Sequence, residues 1–233
     1  MNLISISQRL SYFLLVSIYS CNGSDIGDTS GTAKNISQHY SVVYQEGNGN
    51  LQVYAQFRIG NDKGPSIALN SPGNIQFDDA LLNADSSNRK EIIYHQLLSV
   101  ENVYGEHHFT FTGMDNKKYD NKFLFDDFKI NLPLTIHKDQ PLNVEFATSP
   151  LQKFDYIQIS PLESDSSFSV TYSGADTTKC IVIPPANLQK QRTGQLKLAV
   201  TLYRRMPLKK STPGGGYIEI MYTLDPVYIS LLD

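Results

Sequence analysis

The chain has 233 residues, with 20 Lys and Arg against 23 Asp and Glu, and a formal net charge of −3. Without a basic excess, nucleic-acid binding has no electrostatic support, because phosphate backbones are held mainly by Lys and Arg. Fourteen Tyr, eleven Phe, no Trp, eleven Pro and fifteen Gly favour strands and frequent turns over helices.

The first element is a leader. Arg9 precedes the apolar run Leu10–Ser20, and no acidic residue occurs before Asp25. A mildly positive start, an apolar core and small residues before a processing point predict an export signal over residues 1–20. The run has eleven residues, whereas a helix crossing the hydrocarbon layer needs about 20, so no permanent span is expected. Ile18-Tyr-Ser-Cys21 resembles the lipobox of bacterial lipoproteins, in which a small residue precedes a cysteine. Ser20 fits that pattern, and Tyr19 is larger than is usual there. The resemblance implies diacylglycerol on Cys21, removal of residues 1–20 and tethering to a membrane face. Asn22, in place of Asp, implies the outer membrane. An ordinary secretory cut near Ser20 or Gly23 is the alternative and would release a secreted or periplasmic protein. Loss of Arg9 takes the net charge from −3 to −4. The sequons at Asn22 and Asn35 matter only in a eukaryotic host.

Residues 21–38 are rich in Ser, Gly, Asp, Thr and Asn and are expected to form a flexible tether. Strand signals then recur. Tyr40–Tyr44 precedes a Gly-Asn-Gly turn, and Leu51–Ile59 alternates with period two, Leu51, Val53, Ala55, Phe57 and Ile59 facing one way. Short strands are predicted at Ser66–Leu69, Asn74–Phe77, Ile92–Leu98 (strand or helical turn), His108–Thr112 and Phe123–Ile130. After Pro133 the predicted strands are Leu142–Phe146, Asp155–Ser160, Ser167–Tyr172, Lys179–Ile183, Gly194–Arg204 and Gly216–Ser230. Leu196, Leu198, Val200 and Leu202 line one face, and so do Ile218, Ile220 and Tyr222. Pro184–Leu188 reads as a corner or helical turn, and Pro213–Gly216 as a hairpin loop. Asp225-Pro226 is expected to interrupt the last strand.

Strands every ~8–12 residues without a long helix predict an all-β fold. The expected architecture is two immunoglobulin-like antiparallel β-sandwich domains in tandem, over residues 39–132 and 133–233, divided near Asn131–Pro133. One larger interrupted sandwich is the competing architecture. In the second half, Pro-Leu, an alternating strand, a Ser/Asp turn, a strand ending Ile-Pro-Pro and then Gly-x-Leu-x-Leu follow one another. This texture resembles the immunoglobulin-like domains of uncharacterised bacterial envelope lipoproteins. The Cys…Trp…Cys arrangement of antibody domains is absent.

Candidate chemistry is sparse. His107 and His108, with His95 and His137, could ligate Zn²⁺ or Cu²⁺, but adjacent strand residues point to opposite faces. Asp115 and Asp120, with Asn116 and Asn121, offer oxygen ligands, as do Asp126, Asp127 and Asn131 near the expected junction, and Asp78-Asp79. They are weak calcium candidates, because two lysines interrupt the first set and no EF-hand spacing occurs. Ordinary turn chemistry explains them as well. No Gly-x-Ser-x-Gly elbow occurs, and no Gly-Lys-Ser/Thr follows Gly214–Gly216. Cys180 is expected to be a small apolar strand residue, and pairing with Cys21 would need the tether to fold back. Arg204, Arg205, Lys209 and Lys210 are expected at a solvated hairpin end. The tyrosines could stack on sugars or line a partner surface, with most expected in the core or in cross-strand packing.

The sequence therefore predicts an exported, lipid-anchored, non-enzymatic cell-envelope protein acting as a binding or structural module. No cofactor, no catalytic residue and no nucleic acid are expected. The partners are the membrane, through the lipid on Cys21, and an unknown protein or glycan. A secreted β-scaffold hydrolase and a calcium-stiffened adhesive spacer are the alternatives.

Overall fold

The computed structural model describes residues 35–85, 91–99, 103–146, 151–162, 168–173 and 180–233. Cys21, the leader and residues 21–34 of the expected tether lie outside them. The strands are β1 (Ile36–Gln45), β2 (Asn50–Ile59), β3 (Asn74–Phe77), β4 (Ala80–Leu81), β5 (Asn83–Asp85), β6 (Ile93–Ser99), β7 (Gly105–Thr112), β8 (Lys118–Phe125) and β9 (Ile130–Asn131). Then come β10 (Thr135–His137), β11 (Leu142–Phe146), β12 (Tyr156–Pro161), β13 (Val170–Ser173), β14 (Cys180–Ile183), β15 (Gly194–Pro207), β16 (Gly216–Thr223) and β17 (Val227–Leu232). A four-residue helix, α1 (Pro185–Leu188), turns the corner before β15. Among the described residues no helix is long and apolar enough to cross a membrane.

The all-β expectation holds, and most strands fall where the alternation placed them. In β2, Leu51, Val53, Ala55 and Phe57 are fully buried while Asn50 and Gln52 are exposed, the signature of a sheet with one face on a core. Three local expectations are corrected. Ile36, Ser37 and Gln38 are buried in β1, so this strand starts four residues before Tyr40. The strand expected at Phe123–Ile130 is broken: β8 stops at Phe125 and β9 resumes at Ile130. At Ser66–Leu69 no strand forms: Ser66 and Ile67 are isolated bridge residues, Ser66 opposite Arg58.

Ten strands form one sheet in the order β10-β17-β15-β16-β1-β2-β6-β5, with β12 beside β15 and β13 beside β12. A four-stranded sheet (β4-β3-β7-β8) and a three-stranded sheet (β14-β11-β9) accompany it. Hydrogen-bonded pairing crosses the Asn131–Pro133 region. β1 runs parallel to β16 from Gln38↔Gly216 to Gln45↔Thr223. β15 pairs antiparallel with β16 through Thr201–Pro207 and with β17 through Gly194–Leu198. At the expected break, Leu224 N–H still donates to Val200 O at 3.0 Å, and Pro226, which has no N–H, sits where the register shifts.

Glycine makes the β1–β16 pairing possible. A Cβ on Gly216 would lie 2.0 Å from Gln38 O, and its φ is +152°. A Cβ on Gly214 would lie 2.5 Å from Ile36 C. The hairpin loop from Pro213 is thus pressed against the start of β1, and Thr212 Oγ1 exchanges hydrogen bonds with the Ile36 backbone. Any side chain at Gly214 or Gly216 would displace β1.

The buried apolar residues form one contiguous cluster. Rings of the four-stranded sheet meet rings of the large one: Tyr40 stacks on Phe109 with centroids 4.6 Å apart, Phe57 lies 4.7 Å from Phe111, and Phe125 lies 5.6 Å from Tyr222. Each fully buried Phe contributes about 1.5–3 kcal/mol, and each such pair adds about 0.5–1.5 kcal/mol. Leu142 and Val144 of β11 and Ile181 and Ile183 of β14 supply the three-stranded sheet's buried positions.

Candidate functional site

The ten-stranded sheet buries one face, and among the described residues no strand or helix covers the other. Strand alternation sends every second residue outward, and the register aligns those residues in rows. One row runs Tyr156, Tyr203, Met221, Val43, Gln52 and Leu97. The next runs Arg205, Glu219, Ser41, Tyr54 and His95. Leu97 is 61 % exposed and Tyr156 38 %. The two rows carry aromatic side chains and one charge of each sign, Arg205 and Glu219.

Its centre is ordered by side-chain contacts. Tyr156 and Tyr203 stack at 4.4 Å with planes 9° apart. The Arg205 guanidinium lies 4.2 Å over the Tyr217 ring and its Nη2 donates to Glu219 Oε1 at 2.9 Å. His39 packs on the same ring at 4.2 Å. Tyr217 is thus held on both sides, and an Arg over an aromatic face contributes roughly 0.5–1 kcal/mol at such a site. Burial raises the Tyr217 and Tyr156 phenols above their ordinary range, so both stay neutral. Burial also lowers the His39 imidazole, with Glu219 opposing that shift and Arg205 adding to it. His39 Nε2 is 3.8 Å from Glu219 Oε2, too far for a hydrogen bond, and has no partner among the described residues.

The residues singled out by sequence lie elsewhere. His107 and His108 point to opposite faces of β7, as alternation requires, yet one carboxylate reaches both. Asp78 and Asp79, both at positive φ (45° and 66°), make the tight β3–β4 turn, a conformation Asp tolerates. Asp78 Oδ2 lies 2.6 Å from His107 Nδ1, and Asp78 Oδ1 accepts the His108 backbone N–H at 2.9 Å. His107 Nε2 is 2.8 Å from Val103 O, which engages its second nitrogen. His95 lies by Tyr54 at 6.4 Å, and His137 Nδ1 is 2.8 Å from Asp233 O. Among the described residues no histidine is hydrogen-bonded to a Ser, Thr or Cys side chain.

The carboxylates disperse. Asp115 accepts the Lys117 backbone N–H at 3.1 Å and Asp120 accepts the Thr110 hydroxyl at 3.4 Å. Asp127 pairs with Lys129 at 2.5 Å and Asp126 faces Arg204 at 3.6 Å. Asn121 is buried and clasps the Lys210 backbone through both its amide atoms, at 2.7 and 2.9 Å. Among the described residues no group of three or more His, Cys, Asp or Glu is placed to hold a metal ion. Cys180 is free and half-buried.

Arg204 departs from the solvated hairpin end. It is 6 % exposed and binds Asp155, 1 % exposed, through Nε at 3.1 and 3.2 Å and Nη2 at 3.0 Å. The signal was present: Arg204 continues the inward alternation of Leu198, Val200 and Leu202. Asp155 was missed because nothing local marks an acid at the head of a strand as an ion-pair partner.

No protein-family model matches the chain, and no curated protein matches it.

Proposed function

We propose that this chain is an exported, lipid-anchored, non-enzymatic envelope protein whose uncovered sheet face holds a carbohydrate chain. The carrying observation is the outer face of the ten-stranded sheet, where the Tyr156–Tyr203 stack flanks the Arg205–Glu219 pair. Phenol faces pack on the C–H faces of pyranose rings, and planar amide, guanidinium and carboxylate groups beside them bond ring hydroxyls. The near charge balance of the face suits a neutral glycan. Lipid on Cys21 would fix the location, residues 22–34 would set the reach, and the sheet would present the contact.

The strand pairing favours the larger interrupted sandwich over two tandem immunoglobulin-like domains, because β16 pairs with β1 and β11 pairs with β9 across the expected boundary. A rigid sheet of that width supports extended contact. A protein partner is the second reading, favoured by the exposed Leu97 beside Gln52.

Affinity electrophoresis of wild type and Tyr203→Ala through gels containing envelope polysaccharides of the native host tests the glycan reading. Retardation of wild type, reduced about tenfold in affinity by the substitution, supports it. Equal mobility of both in every gel rejects it. Anchoring is read separately by metabolic labelling with a fatty-acid analogue, which should mark wild type and not Cys21→Ala.

A further inference from the structure

On a different surface from the outer face, β8 ends the four-stranded sheet with an open flank. Its inner neighbour is β7, and among the described residues no strand lies on its other side. Alternate residues of such an edge direct N–H and C=O groups outward. Among the described residues no backbone group of β8 is bonded outside the β7 ladder. Beside this strand lies a groove of about 360 Å³ lined by residues of both β8 and the large sheet. β8 contributes Phe123 and Leu124 to its lining, and the large sheet contributes Met206 and Ile218. Leu124 is 55 % exposed. Lys209 lines the rim, and among the described residues neither Lys209 nor the adjacent Lys210 forms an ion pair. The Asn121–Lys210 clasp holds this basic loop at the upper end of the groove.

We propose that this groove receives an extended peptide strand of a partner protein, with apolar side chains at alternate positions and acidic residues at its end beside Lys209 and Lys210. The incoming strand would pair with the open edge of β8. Its inward side chains, spaced by two residues, would fill the space over Met206 and Ile218. The unpaired lysines select acidic flanks, since a basic flank would bring like charges together.

The test uses the full chain and a synthetic peptide of about nine residues, Asp-Thr-Val-Thr-Val-Thr-Val-Thr-Asp, long enough for one ordinary strand. Two controls accompany it: the same peptide with Lys at both ends, and the same peptide N-methylated at alternate amides. Amide exchange of residues 118–125 is followed by NMR, and affinity by fluorescence anisotropy. The expected result is slowed exchange in β8 with the acidic peptide and at least about tenfold weaker binding of both controls. Lys209→Glu with Lys210→Glu, on an exposed loop, should weaken the acidic peptide about tenfold. Met206→Trp should abolish its binding by filling the groove, while an unchanged spectrum of β2 reports that the fold is kept. Absence of binding at about millimolar peptide, or equal binding of the N-methylated control, overturns the proposal. So does protection of β8 before any peptide is added. Protection independent of protein concentration would assign the groove to the chain's own N-terminal residues, and protection rising with concentration would assign it to a second copy.

Discussion

Arg204 and Asp155 form a buried ion pair in which three N–H···O contacts of 3.0–3.2 Å join β15 to the start of β12. Asp155 Oδ2 also accepts the Gln152 backbone N–H at 2.8 Å, and Asp126 approaches Arg204 Nη1 at 3.6 Å. Asp126 follows directly on β8, so this one guanidinium links the exit of the four-stranded sheet to the large sheet. Removing one partner leaves the other charge buried and uncompensated. Asp155→Ala should therefore cost about 3–5 kcal/mol, read as a lower urea midpoint at unchanged slope. Asp155→Leu combined with Arg204→Met should recover much of that loss, because apolar replacement of both partners spares the desolvation cost.

Gly216 tests the seam between the two ends of the chain. Gly216→Ala places a methyl group 2.0 Å from Gln38 O at a φ of +152°. The expected cost is about 3 kcal/mol or more, with loss of amide protection in both β1 and β16. Gly49→Ala is the control, since Gly49 has positive φ but nothing within 4 Å of the added methyl. Its cost should be about 1 kcal/mol. Similar losses for the two variants would show that the β1–β16 approach is looser than described.

His39 should give the fold a pH dependence whose sign follows from its burial. Burial lowers its folded pKa below the ordinary 6.5, so the unfolded chain binds the proton more readily. Stability from this group is complete above about 6.5 and falls as pH drops below it toward the folded value. Urea unfolding at about pH 7.5 and about pH 5 should show a steeper loss for wild type than for His39→Gln. The difference between slopes is the readout, since the substitution also removes the ring packed on Tyr217. Equal slopes would mean that His39 titrates alike in both states.

The fold class was legible because alternation is a local property. Leu51–Ile59 and Leu196–Leu202 each name their buried face without any knowledge of the partner strand. Pairing is not local. Gln38 and Gly216 are far apart in sequence, and no residue in either strand advertises a parallel partner. Ser37 and Gln38 looked like tether because their burial depends on β16 and the glycine loop, not on their own composition. The break after Phe125 was missed although the adjacent Asp126 and Asp127 put an acid on each face of the expected strand; Asp127 pairs locally with Lys129, while the partner of Asp126, Arg204, follows from tertiary packing. The outer face was only half legible. Tyrosines were recognised as possible sugar platforms, but their convergence from β12, β15 and β16 requires the register of three strands.

Under the proposed function, the outer face of the ten-stranded sheet is the working surface. Hydroxyl-radical footprinting of the protein on native-host envelopes, compared with the protein released by detergent, tests it most directly. Tyr156, Tyr203 and Tyr217 should become protected on the envelope while Leu134, 85 % exposed on another part of the molecule, keeps its reactivity. Unchanged labelling of the three tyrosines, with protection confined to other surfaces, would contradict it.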